Sequence, residues 1–227
     1  MFWSDKKLFI GVYVDDLIFV SNNKALIKKV KNLLKEEFKM KDMGEIKSCL
    51  GFRITRDRIN GKLQIDQEEY LRNVLERFNM SACNPVSTPV DLNVKLDKSL
   101  IPSTDEEKRK MNAVPYQEAI GSLLYAAQCT RPDISFVLNF LSRFNGNPGV
   151  QHWNTVKRIL RYIKGTLSHK LEYRQSSSND LVGYRDSDWA SDTSDRKSTT
   201  GYIFFKGDAA ISWNTRKQQT VAHQVMT

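Results

Sequence analysis

The chain has few cysteines and no long uninterrupted apolar run. Its three cysteines, Cys49, Cys83 and Cys129, are widely spaced and odd in number, which fits neither a disulfide framework nor a zinc site. No apolar stretch approaches the roughly 20 residues that span a membrane, and the first residues lack the apolar core of a secretory signal. We therefore expect an intracellular protein in a reducing compartment, with no membrane partner.

Acidic side chains are the scarcer charged class. The 227 residues include 26 Asp and Glu against 35 Lys and Arg, a net charge of +9. A basic balance favours a polyanionic partner, nucleic acid before membrane. An excess of lysine that only serves solubility has the same composition, so charge alone leaves both readings open.

The most informative segment is Tyr13-Val14-Asp15-Asp16, which lies between two short apolar runs, residues 8–12 and 17–20. The runs are typical of strands, and the acidic pair is typical of the bend between two strands. Adjacent carboxylates repel each other and are costly to desolvate, so an apolar setting requires something that holds their charge. Mg2+ binds such oxygens, usually through one or two carboxylates plus substrate phosphates. The alternative is a solvent-facing Asp-Asp turn, which the apolar flanks disfavour.

The remaining periodicities predict an α+β protein. The sequence Asn60-Gly61 predicts a second hairpin, and Asp66 with Glu69 three residues later matches a capping box that opens a helix. A Ser-rich break near residue 177 leads into a β-rich region with a predicted hairpin around residues 206–208. Helices are predicted at residues 24–38, after Asp66, and near 116–128, 133–144 and 151–166.

The order of these segments resembles the reverse transcriptase and ribonuclease H part of copia-type (pseudoviral) retrotransposon Pol polyproteins. Tyr13 to Asp16 resembles the Tyr-x-Asp-Asp palm motif of reverse transcriptases. Two later markers are Thr130-Arg131-Pro132-Asp133-Ile134 and Asp186-Ser187-Asp188-Trp189-Ala190. The other similar segments are residues 38–44, 50–54, 67 with 70–71, 88–89, 115–116, 120–125, 141–144, 152–153, 157–162, 164–166, 195–202 and 211–213.

The resemblance implies four parts. These are the C-terminal half of a reverse-transcriptase palm with a primer-grip-like hairpin (1–80), a linker (81–114), a helical thumb and connection (115–175), and the start of a ribonuclease H-like α/β domain (176–227). The implied parent activity is RNA-directed DNA synthesis with template removal. The implied cofactor is Mg2+ or Mn2+, and the partners are an RNA/DNA template-primer duplex, a dNTP and the remaining Pol segments. The implied location is the cytoplasm, in a virus-like particle of the parent element.

The resemblance also assigns roles in the palm. Asp15 and Asp16 are the implied catalytic metal ligands, with Tyr13 beside the nucleic acid. Arg53 and Arg56 lie in the hairpin that matches the primer grip and are expected to meet backbone phosphate, although an ordinary amphipathic hairpin looks the same. The family's further palm aspartate lies upstream of the motif, and none of the 12 residues before Tyr13 fits it. We therefore expect no polymerisation by this chain alone.

A basic ridge is predicted on the helix 151–166. Lys157, Arg161 and Lys164 recur at i, i+4 and i+7 beside the apolar stripe, and a thumb helix needs such a ridge to follow a sugar-phosphate backbone. A merely solvated face is the alternative. His152 is expected to pack or cap rather than to bind metal. The apolar stripe consists of Trp153, Val156, Leu160, Ile163 and Leu167.

The last region resembles the beginning of the family's ribonuclease H domain. Asp186 matches the first catalytic and metal-binding carboxylate, Asp188 is the alternative, and Asp192 and Asp195 are expected in a loop. No acidic residue follows Asp208, whereas the family has a glutamate there. Because the mechanism needs several carboxylates around two metals, we expect no RNA hydrolysis by this chain. The alternative function is an inactive remnant that at most binds nucleic acid non-specifically.

Overall fold

The protein is mixed α and β, with small antiparallel sheets beside a helical core. The structure, a computed structural model, describes residues 7–91, 101–102, 104–175, 180–187 and 197–219. Contacts within the chain group it into two units, residues 1–47 and 48–227, which are described separately. The division into palm, linker, thumb and ribonuclease H segments stays a prediction.

The first unit contains the predicted acidic hairpin. Strands β1 (Leu8–Tyr13) and β2 (Asp16–Ser21) pair antiparallel, with Tyr13 opposite Asp16. Helix α1 (Lys24–Glu37) follows and contacts β2. The side chain of Asn23 caps α1, because its Oδ1 accepts a hydrogen bond of 3.1 Å from the backbone N–H of Leu26, which has no partner within the helix. The predicted hairpin and helix are both confirmed.

The second unit begins with a four-stranded sheet in the order β3-β4-β5-β6. Strands β3 (Ser48–Cys49), β4 (Phe52–Asp57) and β5 (Lys62–Asp66) are sequential, whereas β6 (Leu171–Arg174) comes from far along the chain. The predicted second hairpin is confirmed. Its turn requires Gly61, which has φ +61°, and a Cβ there would lie 2.9 Å from Gln175 Cβ.

The predicted capping box at Asp66 is wrong. Helix α2 (Glu68–Arg77) begins one residue later than the box requires, with Gln67 as a cap residue that makes no side-chain capping bond. Asp66 remains the last residue of β5, is 2% exposed and forms an ion pair with Arg53. Its Oδ1 also accepts the backbone N–H of Glu68 at 3.2 Å, so the carboxylate contacts the start of α2 from the strand while Arg53 balances its buried charge.

Four further helices belong to the second unit: α3 (Asp105–Asn112), α4 (Tyr116–Cys129), α5 (Ser135–Ser142) and α6 (Val150–Gly165). Helix α3 lies inside the segment predicted as a linker, where Thr104 and Glu107 form a reciprocal capping box. The 3-10 turn Pro132–Ile134 leads into α5. The apolar faces of α2, α4, α5 and α6 form the core, which includes Leu71, Leu75, Ile120, Leu123, Ile134, Leu138, Leu141, Val156, Ile159, Leu160 and Ile163.

The last sheet has the order β7-β8-β9, formed by Val182–Ser187, Thr199–Lys206 and Ala209–Lys217. Gly207 and Asp208 both have positive φ, +58° and +69°, which is typical of a two-residue type I′ turn. This confirms the predicted hairpin. The sheet packs on the helical core: the indole N–H of Trp213 donates to the carbonyl oxygen of Ala127 at 2.7 Å, and β9 contacts α5.

Across the described ranges, none of these helices combines the length and the apolarity needed to cross a bilayer.

Candidate metal and nucleic-acid sites

Asp15 and Asp16 lie at the tip of the first hairpin. Val14 and Asp15 form a two-residue turn between the paired residues Tyr13 and Asp16. Val14 has φ +49°, which is a genuine outlier for a β-branched residue and costs about 1–3 kcal/mol. Backbone strain of this kind is found at functional sites. The tip therefore presents two adjacent carboxylates on a strained turn.

Both carboxylates are exposed, as a solvent-facing turn would have them. The hairpin around them is unusual for a surface turn because its large apolar side chains are exposed too: Phe9 is 64% exposed, Val12 70% and Val14 82%. Within residues 7–91 no ion pair to either aspartate is formed. Both are therefore available as ligands.

The donor set fits one hard cation. Two neighbouring carboxylates are the number that Mg2+ commonly takes from a protein, with water or phosphate completing its octahedron. Among the described residues no three metal-ligating side chains form a group. Asp15 and Asp16 by themselves therefore do not provide the ligands of a two-metal site.

Arg53 in β4 is exposed, but two carboxylates engage its guanidinium. Its guanidinium lies 3.1 Å from Asp66 and 2.6 Å from Glu68. Hydrogen bonds, first to Glu68 and then to Asp66, raise the pKa of Arg53. It therefore joins β4 to the start of α2, and its charge is shared between two carboxylates. Arg56 is exposed and is the arginine of this hairpin whose geometry leaves it open to phosphate.

The apolar stripe of α6 is confirmed, because Val156, Leu160 and Ile163 are fully buried and Trp153 and Leu167 pack against the core. The three basic residues predicted beside it, Lys157, Arg161 and Lys164, are half-buried. The stripe therefore fixes the orientation of α6 and places all three cations at the edge of the packed surface.

A segment from the predicted linker covers part of this ridge. Arg161 Nε donates to the carbonyl oxygen of Asn84 at 2.7 Å, and Arg158 donates to Thr88 Oγ1 at 3.0 Å. Asp91 lies 3.8 Å from Arg158. The result is a cavity of about 390 Å³, with Lys157, Arg158 and Arg161 among its lining residues. Lys157 and Arg161 of the predicted ridge therefore line one cavity, whereas Lys164 is not among its lining residues.

His152 packs and caps, as predicted. It is fully buried, its ring stacks on Phe144 with centroids 4.1 Å apart, and its Nδ1 accepts the backbone N–H of Gly149 at 2.9 Å. It secures the start of α6.

Arg131 forms a buried clamp whose role sequence reasoning missed. It is 2% exposed and donates to both carboxylate oxygens of Asp133, at 3.0 and 2.8 Å. It also donates to the carbonyl oxygen of Thr166 at 3.1 Å and to Thr166 Oγ1 at 2.6 Å, while Tyr162 donates to Asp133 at 2.7 Å. The clamp ties the start of α5 to the end of α6. The signal was present, since Arg followed closely by Asp can form a pair, but its burial was not readable.

Burial on its own would raise the pKa of Asp133. Hydrogen bonds and charge from Arg131, together with the hydroxyl of Tyr162, outweigh it and hold that pKa below its ordinary value. The carboxylate is therefore ionised in the folded protein at neutral pH.

Asp186 lies on β7, opposite Gly201, and is exposed. The alternatives Asp188, Asp192 and Asp195 lie outside the described residues. Asp186 belongs to the second unit, whereas Asp15 and Asp16 belong to the first. Of the predicted site residues, Asp15 and Asp16 are consecutive at one turn, and Lys157 and Arg161 line one cavity.

Comparisons with known proteins agree with the motif order. Residues 1–92 match the family model described as reverse transcriptase (RNA-dependent DNA polymerase). The chain is 47% identical over 215 residues to the retrovirus-related Pol polyprotein from transposon TNT 1-94 of Nicotiana tabacum, covering 95% of this chain and 16% of that protein. It is 37% identical to the Pol polyprotein from transposon RE1 of Arabidopsis thaliana, over 94% of this chain and 14% of that protein.

A third relative is nearly as short as this chain. An uncharacterised mitochondrial protein of Arabidopsis thaliana is 33% identical over 215 residues, covering 95% of this chain and 85% of the relative. No solved structure matches. The chain thus spans only about a sixth of the Pol polyproteins. On these similarities, the chain belongs to the reverse transcriptase family of copia-type retrotransposon Pol polyproteins.

Proposed function

We propose that this chain is a segment of an RNA-directed DNA polymerase of a copia-type retrotransposon. The observation that carries the proposal is the strained tip, where the consecutive residues Asp15 and Asp16 are both exposed, within the residues that match the reverse transcriptase family. The relatives named as Pol polyproteins support the same reading. The substrates are a dNTP and an RNA/DNA template-primer duplex, with the remaining Pol segments as partners.

In this proposal Asp15 and Asp16 hold Mg2+ or Mn2+ beside the primer end. The bound ion would stabilise the charge that develops on the phosphate oxygens during phosphoryl transfer. The aspartates contribute two oxygen ligands, and Tyr13, which is 57% exposed next to them, contacts the nucleic acid. A further carboxylate for a two-metal site would come from another Pol segment.

In this proposal the basic residues of the second unit contact the phosphates of the duplex. Lys157 and Arg161 line one cationic pocket, Lys164 lies one turn further along α6, and Arg56 is exposed on β4. Such contacts to phosphate position a duplex without reading its sequence. The last sheet begins a ribonuclease H domain, with Asp186 as its first catalytic carboxylate.

The decisive experiment transfers the segment into an intact relative. Residues 8–21 of this chain replace the matching segment of the tobacco Pol polyprotein, and primer extension with Mg2+ is measured. We expect extension by the chimera and a loss of at least about a thousandfold in the D15N/D16N variant, because metal-held charge stabilisation is a large part of such catalysis. V20T changes an exposed side chain inside the exchanged segment, away from the acidic turn, and should leave extension unchanged.

The second candidate, a remnant that only binds nucleic acid, rests on the α6 pocket. It predicts that purified 1–227 binds an RNA/DNA duplex with steep salt dependence but does not extend a primer. Extension by purified 1–227 would contradict it, and absence of binding at low salt would remove the role of α6.

A further inference from the structure

The outer face of the sheet β7-β8-β9 carries aromatic and basic side chains. Side chains alternate between the two faces of a strand, and cross-strand partners share a face. Along β8 the exposed residues are Tyr202, Phe204 and Lys206, each separated by a less exposed one. Arg185 on β7 lies opposite Tyr202. A solvated sheet face is normally polar, so two exposed aromatic rings on it are unusual.

The two rings lie side by side. Their centroids are 5.6 Å apart with planes inclined by 55°, and Tyr202 and Phe204 are 39% and 37% exposed. Gly183, opposite Phe204 on β7, gives the second ring its position, because a Cβ at residue 183 would overlap it. The ring of Phe204 therefore lies against the backbone of β7 at Gly183.

The charges on this face have one sign. Arg185, Lys206 and Arg216 are exposed, and Arg216 lies opposite Thr200. In the described part of the three strands, the outer face carries no acidic side chain. A ligand that matches this face is anionic along its length and has flat apolar surfaces at intervals.

We propose that this face binds single-stranded nucleic acid. Unpaired bases stack on Tyr202 and Phe204, and the phosphates between them pair with Arg185, Lys206 and Arg216. Single strands bind proteins through this combination of stacking platforms and cations, and two aromatic residues spaced i and i+2 on a sheet face are one way to hold two bases. A duplex is disfavoured because its bases are already stacked on each other. The site uses neither α6 nor the aspartates of the first hairpin, so it stands apart from the proposed polymerase function.

The test measures fluorescence anisotropy of a labelled single strand of about 12 nucleotides titrated with the full chain 1–227. We expect the variant Y202L/F204L to bind at least about tenfold more weakly, because each stacked base is lost. F136L, which changes an aromatic residue of α5 that is 55% exposed, should bind like the parent. Y202F keeps the ring and should also retain affinity. Unchanged affinity of Y202L/F204L would overturn the proposal.

Two further measurements distinguish this site from the α6 pocket and from a surface that only packs. R185Q/R216Q should lower the slope of log affinity against log salt by about 1.4, since two phosphate contacts are removed. Y202L/F204L should leave binding of an RNA/DNA duplex unchanged, whereas K157Q/K164Q should weaken it. The proposal fails if Y202L/F204L weakens the binding of duplex and of single strand equally. It also fails if thermal unfolding shows that the loss of affinity only matches a loss of folded protein, because the face is then a packing surface.

Discussion

At the residue scale, Arg131 and Asp133 belong to a sequence motif that stabilises the fold. In the sequence they are two members of a family marker, whereas in the fold the arginine is 2% exposed and bound to Asp133 and Thr166. A buried charge is tolerated only when it is paired and hydrogen-bonded. The pair therefore holds α5 to the end of α6, and its removal acts on stability.

Replacing Arg131 by Ala should reduce the free energy of unfolding by about 1.5–3 kcal/mol, because it removes the charged hydrogen bonds that the buried guanidinium makes to Asp133 and Thr166. Urea denaturation followed by circular dichroism measures the change. The control is R72A, which removes an exposed i, i+4 ion pair with Glu68 and should cost less than about 1 kcal/mol. Equal effects of both variants would contradict a clamp.

The same pair predicts an acid dependence. The folded-state pKa of Asp133 is lowered, so its ionised form contributes stability above the unfolded-state pKa of about 3.9 and loses it as pH falls through the folded-state value. Urea midpoints between about pH 5 and pH 2 should therefore fall more steeply for the parent than for D133N. D208N should follow the parent, and parallel curves for the parent and D133N would refute the linkage.

At the element scale, the strands of the first hairpin follow from their apolar sequence. Its turn, in contrast, adopts a backbone conformation that its residues disfavour. The two apolar strands and the acidic bend were readable from the sequence, but the positive φ of Val14 was not, because valine disfavours that region. In helix α6, local sequence predicts the buried face, but a distant segment determines what covers its arginines. Its stripe follows from 3.6-residue periodicity, while the cover over its arginines comes from residues 84–91, which no local pattern places there.

Replacing Val14 by Gly should stabilise the hairpin by about 1 kcal/mol, because glycine adopts positive φ without strain and Val14 is 82% exposed, so little burial is lost. The stabilisation should appear as slower hydrogen exchange of the β1 and β2 amides in V14G than in the parent. V12G is the matched control: Val12 lies within β1 and is 70% exposed, and glycine there should speed exchange. Faster exchange in V14G would show that the turn is unstrained.

At the scale of the whole molecule, burial is uneven. Among the described residues, every buried apolar side chain belongs to the second unit. The helix α1 has no buried residue, although it shows the expected amphipathic pattern. A hairpin with one helix has too little apolar surface to form a core of its own.

We therefore expect the two units to differ in protection. In native-state hydrogen exchange, the amides of β1 and β2 should exchange through local opening at low free energy, whereas those of α4 and α6 should exchange only near the global free energy of unfolding. Hydrogen exchange measured across a urea series distinguishes local opening from global unfolding. A common opening free energy for both units would contradict the expectation.

Sequence alone determined the elements and the family of this protein. Hydrophobic periodicity and turn chemistry act between near neighbours, so the hairpins and most helices were readable, and the ordered motifs were specific enough to indicate a copia-type Pol segment. Tertiary structure decided what depends on distant partners. It joined β6 to the hairpin of β4 and β5, buried Arg131, engaged Arg53 with two carboxylates, and placed Lys157 and Arg161 of α6 at one cavity. Burial and ion pairing are properties of surfaces that meet only after folding, because a charge has no fixed environment until its neighbours are placed.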